Sequence, residues 1–356
     1  MADKYSIIIP THDRPGCLQR LLSYYSSFGI KFNIIVADSS SDENKELNKK
    51  FISSVSNLDI QYIDARTDLI EKLADAVEHV NTEYCMPCCA DDDFVTPNGI
   101  IQSVDFLEKN PDFAIAQGYY VAFRMRTDEK GEPELYLDHP WAHESILFPE
   151  PENRLKYHLS NYTQLTGQAV HRTDFVKMII EETEKFTDDG RFGELLPSML
   201  GLIYGKMKYL DVLYQARDCI PGSLGRTMNN FRDFIKDNTY HEKYARFRDC
   251  LSDHLSKQSL LDIEESKKVV DEAMSLYMKK YHSYNPLKST IIDPLIREAV
   301  VVLDYLRLPG WLDKSIRAPY RIGVALTTPE PVSYFPPGFD DDFDKIKIHV
   351  LSSLKE

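Results

Sequence analysis

Apolar and polar positions in the N-terminal third of the chain fall into runs that predict strands and helices in turn. Tyr5-Ser6-Ile7-Ile8-Ile9 is a compact β-branched run closed by Pro10, with the polar loop Thr11-His12-Asp13-Arg14 after it. Pro15 suits the first turn of a helix, and Leu18, Leu21, Leu22, Tyr25 and Phe28 then recur at helical spacing. Phe32 to Ala37 reads as a second strand running into Asp38-Ser39-Ser40-Ser41-Asp42, and Ile60 to Ile63 as a third. Asp68 followed by Glu71 has the spacing of a capping box, ahead of the apolar stripe Leu69, Leu73, Ala76, Val77 and Val80. A fourth strand, near Glu83 to Ala90, runs into Asp91-Asp92-Asp93, and Pro97 then precedes a helix from Ile100 to Leu107.

Strands alternating with helices predict an α/β fold: a mostly parallel sheet with helices on both faces. In such sheets ligands bind beyond the carboxyl ends of the strands. Asp13, Asp38 and Asp91–Asp93 all follow strand ends, so they are expected to converge on one edge.

From Lys109 to Ala216 the pattern is mixed, with Tyr136 to Pro151 irregular, Gly167 to His171 strand-like and Glu194 to Tyr204 helical. Beyond Asn229 the chain turns helical and charged, with few strand signals until Ile346-Lys347-Ile348, and Pro329 to Pro337 reads as an irregular tail. The expected division is a catalytic domain over 1–224, in halves of about 1–118 and 119–224, and a mainly helical C-terminal region over 225–356 ending in that tail.

Composition narrows the function. Hydrophobic residues at 43% and aromatics at 11% of 356 residues are ample for a packed core, which excludes a disordered chain. The net charge of -14 argues against nucleic-acid binding, which needs clustered Lys and Arg. It leaves room for an anionic ligand held through a divalent cation. The six cysteines show no framework spacing, and Cys85-Met86-Pro87-Cys88 lacks the second pair a zinc ribbon needs. Buried, reduced thiols are the expectation, as suits a cytoplasmic protein. The N-terminal apolar run is too short for a signal peptide, and no run approaches the ~18 apolar residues of a membrane span. Ile296 to Leu306, with Trp311, is apolar enough to raise contact with a membrane face. Its mixed flanking charges favour a buried helix; homodimerisation and acceptor binding are the other roles weighed for this region.

The aspartate run carries the chemistry. Adjacent carboxylates behind a buried strand repel one another unless a cation offsets them. Mg²⁺ or Mn²⁺ prefers oxygen ligands and is commonly held by carboxylates together with substrate phosphates. On a sugar nucleotide it bridges the diphosphate and stabilises charge on the leaving group. Alternate residues of an extended segment point the same way, so Asp91 and Asp93 can share a face. A solvated acidic turn is the plain alternative for an isolated run. Asp340-Asp341-Asp342, with no strand before it, is assigned to solvent on that ground.

Three ordered segments, Ser6 to Pro15, Val36 to Asp42 and Ala90 to Phe94, together resemble the family 2 type of glycosyltransferase with the GT-A fold. The likeness covers about residues 5 to 218 and is strong up to Gly118. It implies a metal-dependent, inverting glycosyltransferase, with a nucleotide-sugar half followed by an acceptor half. Its donor would be a nucleotide sugar, UDP-sugars being favoured, and its acceptor a glycan or lipid-linked glycan. Pro10, Thr11 and Asp13 would line the nucleoside pocket, Asp38 would contact base or ribose, and Arg66 and Lys72 would reach the diphosphate side. Asp91 and Asp92 would bind the sugar or ribose and Asp93 the metal, Mn²⁺ or Mg²⁺. For Arg66 and Lys72 a solvated charge on a helix face is the competing reading. The base that accepts the acceptor proton belongs in an acidic pair opening a helix. Glu194 matches it best, Asp189 is the second candidate, and the pair's other acid is replaced by Leu195. Where relatives offer a histidine to the metal, this chain has Tyr214-Gln215-Ala216-Arg217-Asp218, and Arg217 would bind diphosphate directly, a surface ion pair being the competing reading. Asp138-His139-Pro140-Trp141-Ala142-His143 is not read as a metal site, because Pro140 breaks any helix aligning the two histidines; Trp141 is read as a loop aromatic. The loop after the first strand lacks the glycines of a nucleotidyltransferase, which remains one alternative. A non-catalytic carbohydrate-binding protein on the same fold is the other.

Overall fold

The computed structural model describes residues 4–28, 32–127, 132–140, 144–162, 166–187, 190–219, 235–281 and 335–353, with the backbone alone at a few of them. Its first half is built from β1 (Tyr5–Thr11), α1 (Pro15–Ser27), β2 (Asn33–Asp38), α2 (Asp42–Ser54), β3 (Asp59–Asp64), α3 (Leu69–Val77) and β4 (Tyr84–Met86). These four strands lie parallel in the order β3-β2-β1-β4, with Ile8 beside Ile35 and Thr11 beside Asp38. β1 carries the unbroken apolar run Ile7-Ile8-Ile9 because both of its faces are covered. Ile7 and Ile9 pack with Leu18, Leu21 and Leu22 of α1, while Ile8 packs with Leu73, Ala76 and Val77 of α3. The Asp68 side chain caps α3, accepting from the Ile70 and Glu71 amides at 2.9 and 3.3 Å.

The fourth strand is shorter than its apolar run suggested. β4 ends at Met86, and Asp93–Val95 forms a separate strand, β5, antiparallel to β9 (Lys206–Asp218) with Asp93 opposite Arg217. Asp93 therefore opens a strand instead of following one. Between them in sequence lie α4 (Pro97–Lys109), β6 (Phe113–Thr127), β7 (Pro133–Pro140), α5 (Pro151–Ser160), β8 (Val170–Arg172), α6 (Thr173–Glu184) and α7 (Gly190–Tyr204). β8, β6, β9 and β5 continue the sheet from β4 with mixed direction, and β7 pairs with β6. The segment read as irregular from Tyr136 thus begins as a hairpin strand, and Gly167 belongs to a 3-10 turn ahead of β8. Gly118 is required where β6 meets β9, since a Cβ there would fall 2.3 Å from the Val212 carbonyl oxygen.

Helices α8 (Tyr240–Gln258) and α9 (Ile263–Tyr281) form a second core with α5 and α7, in which Phe247, Leu251, Val270 and Met274 meet Leu155, Phe192 and Met199. The last described element is α10 (Phe339–Ser352). Ile346-Lys347-Ile348 lies in it and is helical, not a strand. The period-2 signal of two isoleucines gives way to Phe339, Phe343, Ile346 and Val350 at helical spacing, which bury one face against the core around α1, β5 and β6. Asp340–Asp342 consequently form the first turn of that helix, where carboxylates complement its dipole. Asp342 pairs with Lys345 at 3.0 Å and accepts from Asn98 at 3.4 Å, so it is not left to solvent. Trp141, Ala142, His143, the Ile296–Leu306 run, Trp311 and most of the Pro329–Pro337 stretch fall outside the described residues.

Ile346→Ala is expected to cost about 2–4 kcal/mol in urea unfolding, because Ile346 is fully buried. Ile348→Ala, at a position 69% exposed, is expected to change stability by less than about 0.5 kcal/mol. Equal effects at the two positions would contradict the docking of this helix.

Candidate active site

Three buried carboxylates and two guanidinium groups meet beyond the carboxyl ends of β1 and β4. Arg14, in the loop after β1, spans two of them: Nη1 lies 2.8 Å from Asp91 Oδ1 and Nη2 lies 2.9 Å from Asp92 Oδ2. Thr11, the last residue of β1, donates its hydroxyl to Asp91 Oδ2 at 2.8 Å. Arg217 arrives from the other side on β9, its Nε 3.6 Å from Asp92 Oδ1 and 3.7 Å from Asp93 Oδ1. Asp93 Oδ2 accepts from Gln168 Nε2 at 2.9 Å and from the Ala90 amide at 3.3 Å. The two Oδ1 atoms of Asp92 and Asp93 are fully buried and accept no hydrogen bond.

Burial raises the Asp91 carboxyl to about 6, against the opposing pull of Arg14 and the Thr11 hydroxyl. It also raises the Asp93 carboxyl, with Arg217 acting against it and Asp92 with it. Arg217 is held in its charged form, chiefly by Asp93. The repulsion expected to demand a divalent cation is thus met in part by two arginines of the chain itself. Behind them Arg20 pairs with Asp218 at 2.8 Å, and the Asp218 amide donates to the Asp92 carbonyl at 3.0 Å.

Lys72 is not a solvated helix charge. It is buried in α3, and its Nζ donates to the Thr11 carbonyl at 2.9 Å. Burial lowers its pKa, with Asp38 and Asp91 opposing. Pro10 lies in β1 beside Ala37. Asp13 and Asp38 fasten the two strand-end loops together. Asp13 adopts a left-handed backbone, φ 51°, rare outside glycine. Its amide donates to Ser40 Oγ at 2.7 Å, and its Oδ1 accepts from the Ser41 amide and Asn44 at 2.8 and 2.9 Å. The Asn44 and Ser41 hydrogen bonds hold its carboxyl down to about 2. Asp38 is fully buried, its Oδ1 accepting from the Ser40 amide at 2.8 Å and its Oδ2 from Asn48 and Tyr62 at 2.7 and 3.0 Å. Its carboxylate organises the turn into α2 and is not presented to solvent.

Arg66 is taken up elsewhere, in bonds of 2.7 to 3.1 Å to Asp75, the Glu71 carbonyl and Glu184. That leaves the diphosphate reading of Arg66 without support and favours the surface-charge one. Glu194 sits past the first turn of α7 and pairs with Arg191 at 3.5 Å. Burial raises its pKa, with Arg191 opposing. Leu195, standing where a second acid was expected, is buried in the helical core with Leu196 and Met199. Asp189 lies outside the described residues. All six cysteines are free, and burial holds the Cys85 and Cys88 thiols up at about 12.

Two contributors went unread in the sequence. Arg14 had a signal, a cation in a strand-end loop facing three acids. Gln168 had none, since only the pairing of β8 with β4 and β6 brings its turn to Asp93.

Residues 6–179 match the sequence profile of the family described as glycosyl transferase family 2. No curated protein sequence matches the chain. Two solved structures of S. aureus TarS are similar. The first has 13% identity and a TM-score of 0.49, covering 87% of this chain and 50% of that one. The other, of TarS residues 1-349, has 13% identity and a TM-score of 0.50 over 85% of this chain and 80% of that one. The chain therefore spans half the length of the first TarS structure, and the likeness is one of fold: GT-A, with C-terminal helices.

Asp91→Asn provides a test of the buried charge. A carboxyl raised from 3.8 to about 6 on folding makes the folded state bind the extra proton, so stability falls as pH rises between those values and is level above them. Relative to the Asn variant, the wild type is expected to lose up to about 3 kcal/mol across that window. Urea unfolding of both proteins at stepped pH reads it; a constant difference would contradict it.

Proposed function

We propose, from the premise that residues 6–179 form a family 2 glycosyltransferase domain, that this protein transfers a sugar from a nucleotide-sugar donor to a hydroxyl of a glycan or lipid-linked glycan. The carrying observation is the pair of buried, unbonded oxygens, Oδ1 of Asp92 and of Asp93, set between two partly exposed arginines at the strand ends. An oxygen-only donor set suits a hard divalent cation. Asp93, joined by Asp92, would hold Mn²⁺ or Mg²⁺, which when bound supplies positive charge to the donor diphosphate.

The side chains of Arg14 and Arg217 are 30% and 26% exposed, so each can turn a face to phosphate oxygens while keeping its carboxylate partners. Lys72 adds a buried positive charge behind Thr11. Pro10 and the loops fastened by Asp13 and Asp38 would form the floor of the nucleoside pocket, which makes those two carboxylates positioning groups first. Glu194, its pKa raised by burial, suits the general base. In a single inverting displacement the acceptor oxygen bonds to the anomeric carbon, the diphosphate oxygen leaves, and the acceptor proton passes to Glu194. A UDP-sugar remains the favoured donor. A lipid-linked acceptor would be met at the inner face of a membrane, in keeping with a cytoplasmic, peripheral enzyme. Among the described residues no helix is long and apolar enough to cross a membrane.

Release of UDP, GDP or CMP from the corresponding nucleotide sugars, with Mn²⁺ and acceptor, is the direct measurement. Arg217→Ala and Asp93→Asn are each expected to lower kcat by about 100-fold or more. Glu194→Gln is expected to lower transfer while leaving donor affinity, read by calorimetry, within about twofold. Normal turnover by Asp93→Asn would overturn the proposal. Pyrophosphate release from a nucleoside triphosphate would replace it with nucleotidyl transfer.

A further inference from the structure

A second cluster of metal-ligating groups lies away from the aspartates, where α8 crosses α6. Cys250 and His254 stand one turn apart on α8, so their side chains leave the same face of the helix. Glu182 of α6 faces them. Its Oε2 is 3.9 Å from Cys250 Sγ and 3.9 Å from His254 Nε2, and the three ligand atoms all lie within 4.8 Å of one another. Neither contact is a good hydrogen bond: the histidine gap is too long for one, and the thiol gap is at the long limit.

The surroundings are those of a site. His254 is 7% exposed, and its other ring nitrogen, Nδ1, lies 2.7 Å from the Tyr204 hydroxyl on α7. With Nδ1 donating to the tyrosine oxygen, the Nε2 lone pair faces Glu182 and Cys250, the outer-shell arrangement that orients a metal-binding imidazole. Glu182 Oε1 is held by Lys185 at 2.8 Å, which orients Oε2 toward the other two ligands. Lys257 and Asp253 also stand near His254 and offset one another through a 2.6 Å pair.

We propose that Glu182, Cys250 and His254 bind one zinc ion. Tetrahedral zinc with bonds of about 2.0–2.3 Å sets ligand atoms about 3.3–3.6 Å apart. The two Glu182 gaps of 3.9 Å are a few tenths of an ångström wider, and side-chain rotation draws the three atoms, all within 4.8 Å, together. Mixed sulfur, nitrogen and oxygen donors select zinc over Mg²⁺ or Mn²⁺. Binding takes the thiolate and releases the thiol proton to solvent; a water fills the fourth position. The ion would join α6, within which the stretch matching the family profile ends at residue 179, to α8, well beyond it. It would thus staple the helical region to the catalytic domain, independently of the chemistry proposed above.

The test uses the full chain, stripped with a chelator and kept in excess Mg²⁺ to occupy the aspartates. Co²⁺ titration is expected to give a thiolate-to-cobalt charge-transfer band that saturates at one equivalent and is displaced by Zn²⁺. Zn²⁺ is expected to raise the Tm. Cys250→Ser, nearly isosteric, is expected to lose the band and the zinc-dependent rise. Tyr204→Phe, outside the ligand set, is expected to keep the band while weakening Zn²⁺ affinity about 10- to 100-fold. The proposal falls if the wild type shows no such band, if Cys250→Ser keeps it, or if Tyr204→Phe binds Zn²⁺ as tightly as the wild type.

Discussion

Holding three adjacent carboxylates out of water is the constraint around which the strand ends of the sheet are arranged. Asp91, Asp92 and Asp93 are all buried, and an unpaired buried charge costs several kcal/mol. Arg14 approaches from β1's side of the sheet and Arg217 from β9's, so each contributes a guanidinium shared between two acids. That arrangement requires β1 to stop at Thr11, β5 to begin at Asp93, and β9 to run antiparallel beside it. The pairing is incomplete, since one oxygen on each of Asp92 and Asp93 is left without a donor. A buried polar atom without a hydrogen-bond partner calls for an explanation, and a bound ion or water is one.

How much of this could be read from the chain depends on the range of the interactions involved. Local signals carried well. The β-branched run of β1, the helical spacing behind Pro15 and the cap at Asp68 each rest on contacts within a few residues. The convergence of Asp13, Asp38 and Asp91–Asp93 was legible because parallel strands put their carboxyl ends together whatever their details. What was not legible came from afar. Gln168 reaches Asp93 only through strand pairing across the mixed half of the sheet. Arg217 and Lys72 are read as site residues in the sequence, but their carboxylate and carbonyl partners come from the same distant pairing and packing. Nothing in the spacing of Arg66 separates it from Lys72, yet one joins a surface network and the other enters the site. The division of Asp91–Asp93 into donor and metal groups also softened, because Asp92 and Asp93 share the unbonded oxygens.

Leu195 illustrates how a departure from a family pattern can have a packing origin. Its side chain belongs to the core formed with α8 and α9, where a carboxylate would be stranded in an apolar setting. The helical region accordingly shapes which acids α7 can carry, and Glu194, at the edge of that core, retains one.

The helix at 339–352 closes the chain upon itself. His349 donates through Nε2 to the Arg20 carbonyl across 329 positions of sequence, and its neighbours fill the core beneath α1. The face of α1 is therefore covered by a helix made long after β1 to β9. During synthesis, the apolar floor under α1 stays open until residue 350 has cleared the ribosome, well after the parallel strands could have paired. The interval of exposure to misassembly is set by the length of chain that separates the two helices.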